Sequence, residues 1–170
     1  MNKIVLCFLA VSFLVSCATI RKNNGLNDNQ MINQEVLDQA ELNSPRGARR
    51  ILEVGREMIA NQDVIIGGCW DYINNVYTTA GYPSSRTTTV FKSKFNGPYF
   101  NTADVRPGDW LYYVNHTYSD TEHSAIFVAW TDENKKVALM MSYVGEKRKV
   151  PATYKLFTLD KIYNVFRARE

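Results

Sequence analysis

Histidine is scarce in this chain of 170 residues, with two copies, and cysteine scarcely commoner, with three. Those counts constrain the chemistry. A protein zinc site takes its ligands from Cys, His and carboxylates at characteristic spacings, and no such spacing occurs, nor does a glycine-rich phosphate loop. Neither a metal nor an organic cofactor is expected. Charge of one sign is lacking too. The 20 Lys and Arg against 17 Asp and Glu leave a balance of +3, which offers no footprint for nucleic acid. No internal repeat occurs. After residue 16 no apolar run approaches the ~20 residues that a membrane-spanning helix requires.

One apolar run is present, at the start. Ile4 to Val15 is interrupted only by Ser12 and follows Lys3, the anatomy and length of a secretory signal. It ends in Leu14-Val15-Ser16-Cys17, which resembles the lipobox of bacterial lipoproteins. That resemblance implies cleavage before Cys17, lipidation of its thiol, and a cell-envelope location with the membrane as partner. Several acyl chains anchor firmly because each buried methylene contributes about 0.8 kcal/mol. Ala18, where many inner-membrane lipoproteins carry aspartate, implies the periplasmic side of the outer membrane in a Gram-negative host. Removing the 16-residue signal with its one charge, Lys3, takes the chain from 170 to 154 residues and from +3 to +2. Cys7 departs with the signal and Cys17 is acylated, so Cys69 is left as the single free thiol. In an oxidising compartment a leftover thiol is either buried and inert or reactive. The count alone leaves both readings open.

Residues 17–43 are rich in Asn, Gln and charge and read as a tether, with a helical turn or two near 36–42. The folded unit is expected over 44–170, a length that supports one core. Ser44-Pro45 reads as an N-cap and first helical residue. Apolar residues from Ala48 to Ile59 recur at three- and four-residue spacing, predicting a helix over 45–61. Its Arg46, Arg49, Arg50 and Arg56 are read as a solvated flank. Gly67-Gly68 breaks the chain, and a second helix is expected over 69–80, stopped by Gly81. Residues 84–101 read as a long loop. The period then changes to two, predicting strands over 110–114, 124–130, 137–144, 149–156 and 162–167. Helices first and an antiparallel meander after them give an α+β fold, with N-terminal helices packed on about five strands.

Within that layout Cys69 opens a helix just after two glycines. Unpaired first-turn N–H groups and the helix dipole favour the thiolate, and the same amides can donate to a developing oxyanion. The plainer reading is a small apolar side chain packed against the sheet. His116 sits among polar residues and reads as an exposed loop side chain. His123 opens the apolar run Ser124-Ala125-Ile126-Phe127-Val128, where a base is held rigidly at the rim of a buried strand. Taken alone, it is equally an ordinary strand-edge histidine. Tyr72, Tyr99, Tyr112 and Tyr118 are candidates to line a cleft.

The order of three features carries a resemblance. Cys69-Trp70 stands at a helix start, Pro107-Gly108-Asp109 leads a strand, and His123 opens the next strand. This order resembles the NlpC-type cell-wall peptidases and the CHAP amidases of the papain-like superfamily, over roughly residues 45–167. The resemblance implies a papain-like fold and a cysteine hydrolase (an endopeptidase or amidase) of peptidoglycan stem peptides, with Cys69 as nucleophile and His123 as base. It also implies a third polar residue on the following strand to orient the imidazole. If the hairpin turn centres between Glu133 and Asn134, His123 stands opposite Val144, with Ser142 and Glu146 as same-face diagonal neighbours. Ser142 is then the candidate, and a one-residue slip brings in Tyr143 instead. Two residues depart from the family pattern. Serine stands where His, Asn or Gln is common, and Gly68 stands where NlpC-type enzymes often carry aspartate. A second reading therefore stays open, an inactive envelope lipoprotein that binds wall peptide or a partner protein.

Overall fold

The computed structural model describes residues 28–170, an α+β arrangement of three helices and a six-stranded antiparallel sheet. The signal segment and Cys17 lie outside the described residues. Helices α1 (Asp28–Leu42), α2 (Arg46–Ala60) and α3 (Cys69–Thr79) precede the whole sheet. The strands are β1 (Thr87–Lys92), β2 (Trp110–Asn115), β3 (Thr121–Asp132), β4 (Val137–Ser142), β5 (Thr153–Thr158) and β6 (Ile162–Ala168), in the order β1-β6-β2-β3-β4-β5. No described helix is long and apolar enough to cross a membrane.

Strand alternation divides the core in two. Trp110, Ile126, Val128, Leu139 and Met141 face the helices and pack on Ile51, Val54, Ile73 and Val76. Leu111, Tyr113, Ala125, Phe127 and Met140 point to the other face, where Val105, Phe157 and Leu159 close a second cluster.

Four sequence expectations change. Residues 28–42, expected within the tether, form a 15-residue helix whose Leu37 and Ala40 are buried. The arginines of α2 fasten it, so they are more than a solvated flank. Arg49 donates to the carbonyls of Glu41, Leu42 and Ser44 at 3.0, 3.1 and 3.2 Å, and Arg56 pairs with Asp38 at 2.7 Å and with the buried Glu41. The orphan carbonyls that end α1 thus find their donors on the next helix. Arg49→Ala should cost about 1 kcal/mol and speed limited proteolysis within α1, which mass mapping of early fragments would show.

Residues 87–92, expected in a loop, form β1 on β6 and bring the sheet to six strands. Five of β1's six side chains are Thr, Val or Phe, suited to a strand, but its edge position leaves most of them exposed, which hides the alternation. Ser44 does not cap α2. Its hydroxyl donates to Ala40 O at 2.5 Å, while the carboxylate of Glu170 accepts from Gly47 N–H at 3.1 and 3.2 Å. A carboxylate at that helix start also suits the helix dipole.

The Pro107-Gly108-Asp109 turn has structural work to do. Gly108 has φ +84° and lies so close to α2 that a Cβ there would sit 2.9 Å from Ala48 Cα. Tyr77 Oη donates to Gly108 O at 2.6 Å. Asp109 is fully buried and takes a two-pronged pair from Arg167 on β6, at 2.6 and 2.7 Å.

Candidate functional site

The site forms where β4 leaves β3. Their ladder ends at the pair Ile126–Met141, so beyond it one edge of β3 is unpaired. The N-terminus of α3 approaches that opening. Gly67, with φ +112°, turns the chain in, and the Asp71 carboxylate occupies the space a Cβ of Gly67 would need. Asp71 accepts from Gly68 N–H at 2.7 Å, which caps α3 from its own first turn. On the far side, Glu146 N–H donates to Gly67 O at 2.9 Å and ties the loop after β4 to the loop before Cys69.

Cys69 is half-buried, and its partners come from the first residues of β3. Burial pushes the thiol up. The neighbouring His123 side chain, first among the influences that lower it, and the adjoining Ser124 outweigh burial and bring the thiol down to about 7 from an ordinary 9.0. A thiol so placed is substantially ionised at neutral pH. Gly68 N–H is engaged by Asp71, so the N–H of Cys69 opens the first-turn amides of α3 that can face a developing oxyanion.

His123 Nε2 lies 3.0 Å from Ser142 Oγ, and Ser142 is buried. With Nε2 so occupied, Nδ1 is the nitrogen left for the thiol. The residues expected from the sequence at Cys69, His123 and Ser142 are brought together in that order. Tyr143, the product of a slipped register, is buried on the helix side, where it stacks on Tyr72 at 4.9 Å. His116 lies apart, held between Asp120 and Asp160 at 2.5 and 2.6 Å.

The register that places Ser142 comes out of two offsetting departures. Val137 pairs with Asp132, so the hairpin turn sits one residue later than expected. Irregularities between Phe127 and Ala129 and between Trp130 and Asp132 then draw β3 back, and Ile126 faces Met141 as the expected register requires. Serine holds the imidazole through one hydrogen bond. If the centre turns over a substrate, Ser142→Ala should slow it by about tenfold, the ~1.4 kcal/mol at the upper end for an ordinary hydrogen bond, and Ser142→Asn should recover it. Steady-state rates of the three forms would show the order.

Ser124 was not singled out by its sequence. Its hydroxyl is buried and makes no hydrogen bond, and it lies beside the Cys69 thiol, which its proximity pulls down. The readable signal is its parity: Ser124 occupies a helix-facing position beside Ile126 and Val128, where a polar side chain must find a partner.

Two depressions flank this centre. An aromatic groove of about 240 Å³ is lined by Trp70, Tyr82, Trp110, Tyr112 and Phe166. Trp70, the residue after Cys69, is 49% exposed there. A larger cavity of about 580 Å³ lies on the histidine side and is lined by His123 and Ser142 with Tyr118, Arg148, Lys155 and Phe157. Of the four tyrosines offered by the sequence, Tyr112 and Tyr118 therefore border the centre. Tyr72 is core, and Tyr99 bonds back to Phe95 O at 3.2 Å. Among the described residues no group of three or more His, Cys, Asp or Glu is arranged to hold a metal ion. Comparisons of the chain with protein-family models, with curated proteins and with solved structures return no match.

Proposed function

We propose that the protein is a papain-like cysteine hydrolase that cleaves an amide bond in peptidoglycan stem peptides from a lipid anchor at Cys17. The observation that carries this reading is a half-buried thiol at the first residue of α3, lowered by the neighbouring His123, whose Nε2 lies 3.0 Å from Ser142 Oγ. A structural cysteine needs neither a helix N-terminus nor an imidazole. The thiolate attacks the substrate carbonyl, and the Cys69 N–H stabilises the oxyanion that forms. Protonated His123 then gives its proton to the departing nitrogen, the C–N bond breaks, and a thioester remains on Cys69. Water, deprotonated by His123, attacks the thioester and releases the carboxylic acid and the thiol. Ser142 accepts from Nε2–H of the imidazolium and holds the ring in place through both steps.

Purified sacculi and isolated stem peptides are the substrates for the test, with products read by mass spectrometry. The wild-type protein should yield one new amine and one new carboxylate per cut, and Cys69→Ala should yield neither. Equal cleavage by Cys69→Ala would rule out the thiol mechanism. The position of the new termini separates an endopeptidase from a sugar–peptide amidase.

A further inference from the structure

The cavity on the histidine side has a charge pattern that the proposed chemistry leaves unused. Arg148 and Lys155 line it, both are exposed, and no carboxylate borders it. Among the described residues neither cation forms an ion pair. Arg148 comes from the short turn after β4 (Glu146–Arg148), and Glu146 N–H anchors that turn to Gly67 at 2.9 Å. Lys155 comes from β5, whose pairing with β4 runs through Ser142–Thr153. Two separately fixed elements thus bring unpaired positive charge to one hollow floored by Phe157, next to the imidazole. Polar neutral groups, Asn115 and Thr121, complete the rim.

We infer that this cavity is a carboxylate-binding subsite for the part of the substrate that leaves with the amine. This rests on the hydrolase reading above, because that reading fixes the side. His123 must protonate the departing nitrogen, so the departing fragment lies on the histidine side of the thiol, and the cavity is bordered by His123 but not by Cys69. Arg148 offers a planar fork suited to a carboxylate, and Lys155 adds a point charge. The substrate class is then an acidic peptide with a free carboxylate a residue or so beyond the scissile bond.

The test is binding, kept apart from turnover. Cys69→Ala protein is titrated calorimetrically with a stem peptide carrying free carboxylates and with the same peptide amidated. The free acid should bind about tenfold more tightly, with the preference shrinking as salt rises. Lys155→Gln combined with Arg148→Gln should erase the preference, and Lys155→Glu should reverse it. Equal affinity for both peptides, or a preference indifferent to these substitutions, would overturn the subsite. Turnover by the wild-type protein separates the two readings. Cleavage of both peptides at equal efficiency, with equal binding, removes the subsite and leaves the hydrolase. Selective binding without any cleavage leaves the subsite and removes the hydrolase.

Discussion

Replacing His123 by Ala should move the reactivity of Cys69 toward that of an ordinary thiol and abolish turnover, by very different factors. The thiol sits near 7 because His123, with help from Ser124, overcomes its burial. Without the imidazole the burial remains and only Ser124 opposes it, so the thiol rises toward the ordinary 9.0, and a full return sets the size of the effects that follow. At pH 7 the thiolate fraction then falls from about one half to about 1%, roughly fiftyfold. A more basic thiolate is also a better nucleophile, and with a Brønsted slope of ~0.4–0.5 two pKa units return about six- to tenfold. Alkylation by iodoacetamide at pH 7 should therefore slow by only about five- to eightfold, and its midpoint should move upward by about two pH units. Hydrolysis loses far more, by a further ~10²–10⁴-fold, because no group remains to protonate the leaving nitrogen. Measuring both rates on the same preparations distinguishes a base that also transfers protons from a neighbour that merely tunes a thiol. An alkylation profile indifferent to His123 would leave Cys69 without a base.

Much of this geometry was legible in the sequence, in proportion to how strongly local rules acted. The helix at Cys69 was readable because Gly67-Gly68 and Gly81 bracket it. Strands β2, β3 and β6 were readable because their buried faces impose alternation or apolar runs. Edge strand β1 was not, because all six of its residues keep at least partial contact with solvent in a Thr- and Lys-rich run, and only pairing with β6 defines it. Helix α1 was legible only as a turn or two near 36–42, for a related reason. Its docking depends on Arg49 and Arg56 reaching across from α2, and long-range ion pairs leave no period in a sequence. Ser142 was found through a register whose assumed turn was one residue early, and the irregularities in β3 supplied the offset. The carboxylate-lacking cavity was invisible altogether, since Arg148 and Lys155 meet only when the β4–β5 connection folds back.

Asp109→Asn should be among the most destabilising single changes in the protein, at about 3–5 kcal/mol by urea unfolding, although the residue touches nothing in the reaction. The carboxylate is fully buried, and Arg167 grips both its oxygens while Arg106 N–H donates to it at 2.9 Å. Burial nonetheless pushes the Asp109 carboxyl up, against the pull of Arg167 and the Arg106 N–H, so desolvation is the larger influence on this group. That balance makes a second prediction inseparable from the first. Removing one partner leaves the guanidinium facing an uncompensated site, whereas replacing both with apolar residues of similar size removes the desolvation cost along with the attraction. The pair Asp109→Leu and Arg167→Met should therefore lose much less stability than Asp109→Asn alone, and a double-mutant cycle would measure the coupling. If the double replacement is as damaging as the single one, the pair stabilises the sheet outright and burial is not what opposes it. In either case thiol alkylation of the folded variants should keep its midpoint near pH 7, because Asp109 holds β2 to β6 at a distance from the edge of β3 where Cys69 meets His123. The Pro107-Gly108-Asp109 turn, one of the three features that carried the family resemblance, would then act through the fold: Gly108 lets α2 close on the sheet and Asp109 locks β6, while the proposed chemistry rests on Cys69 and His123.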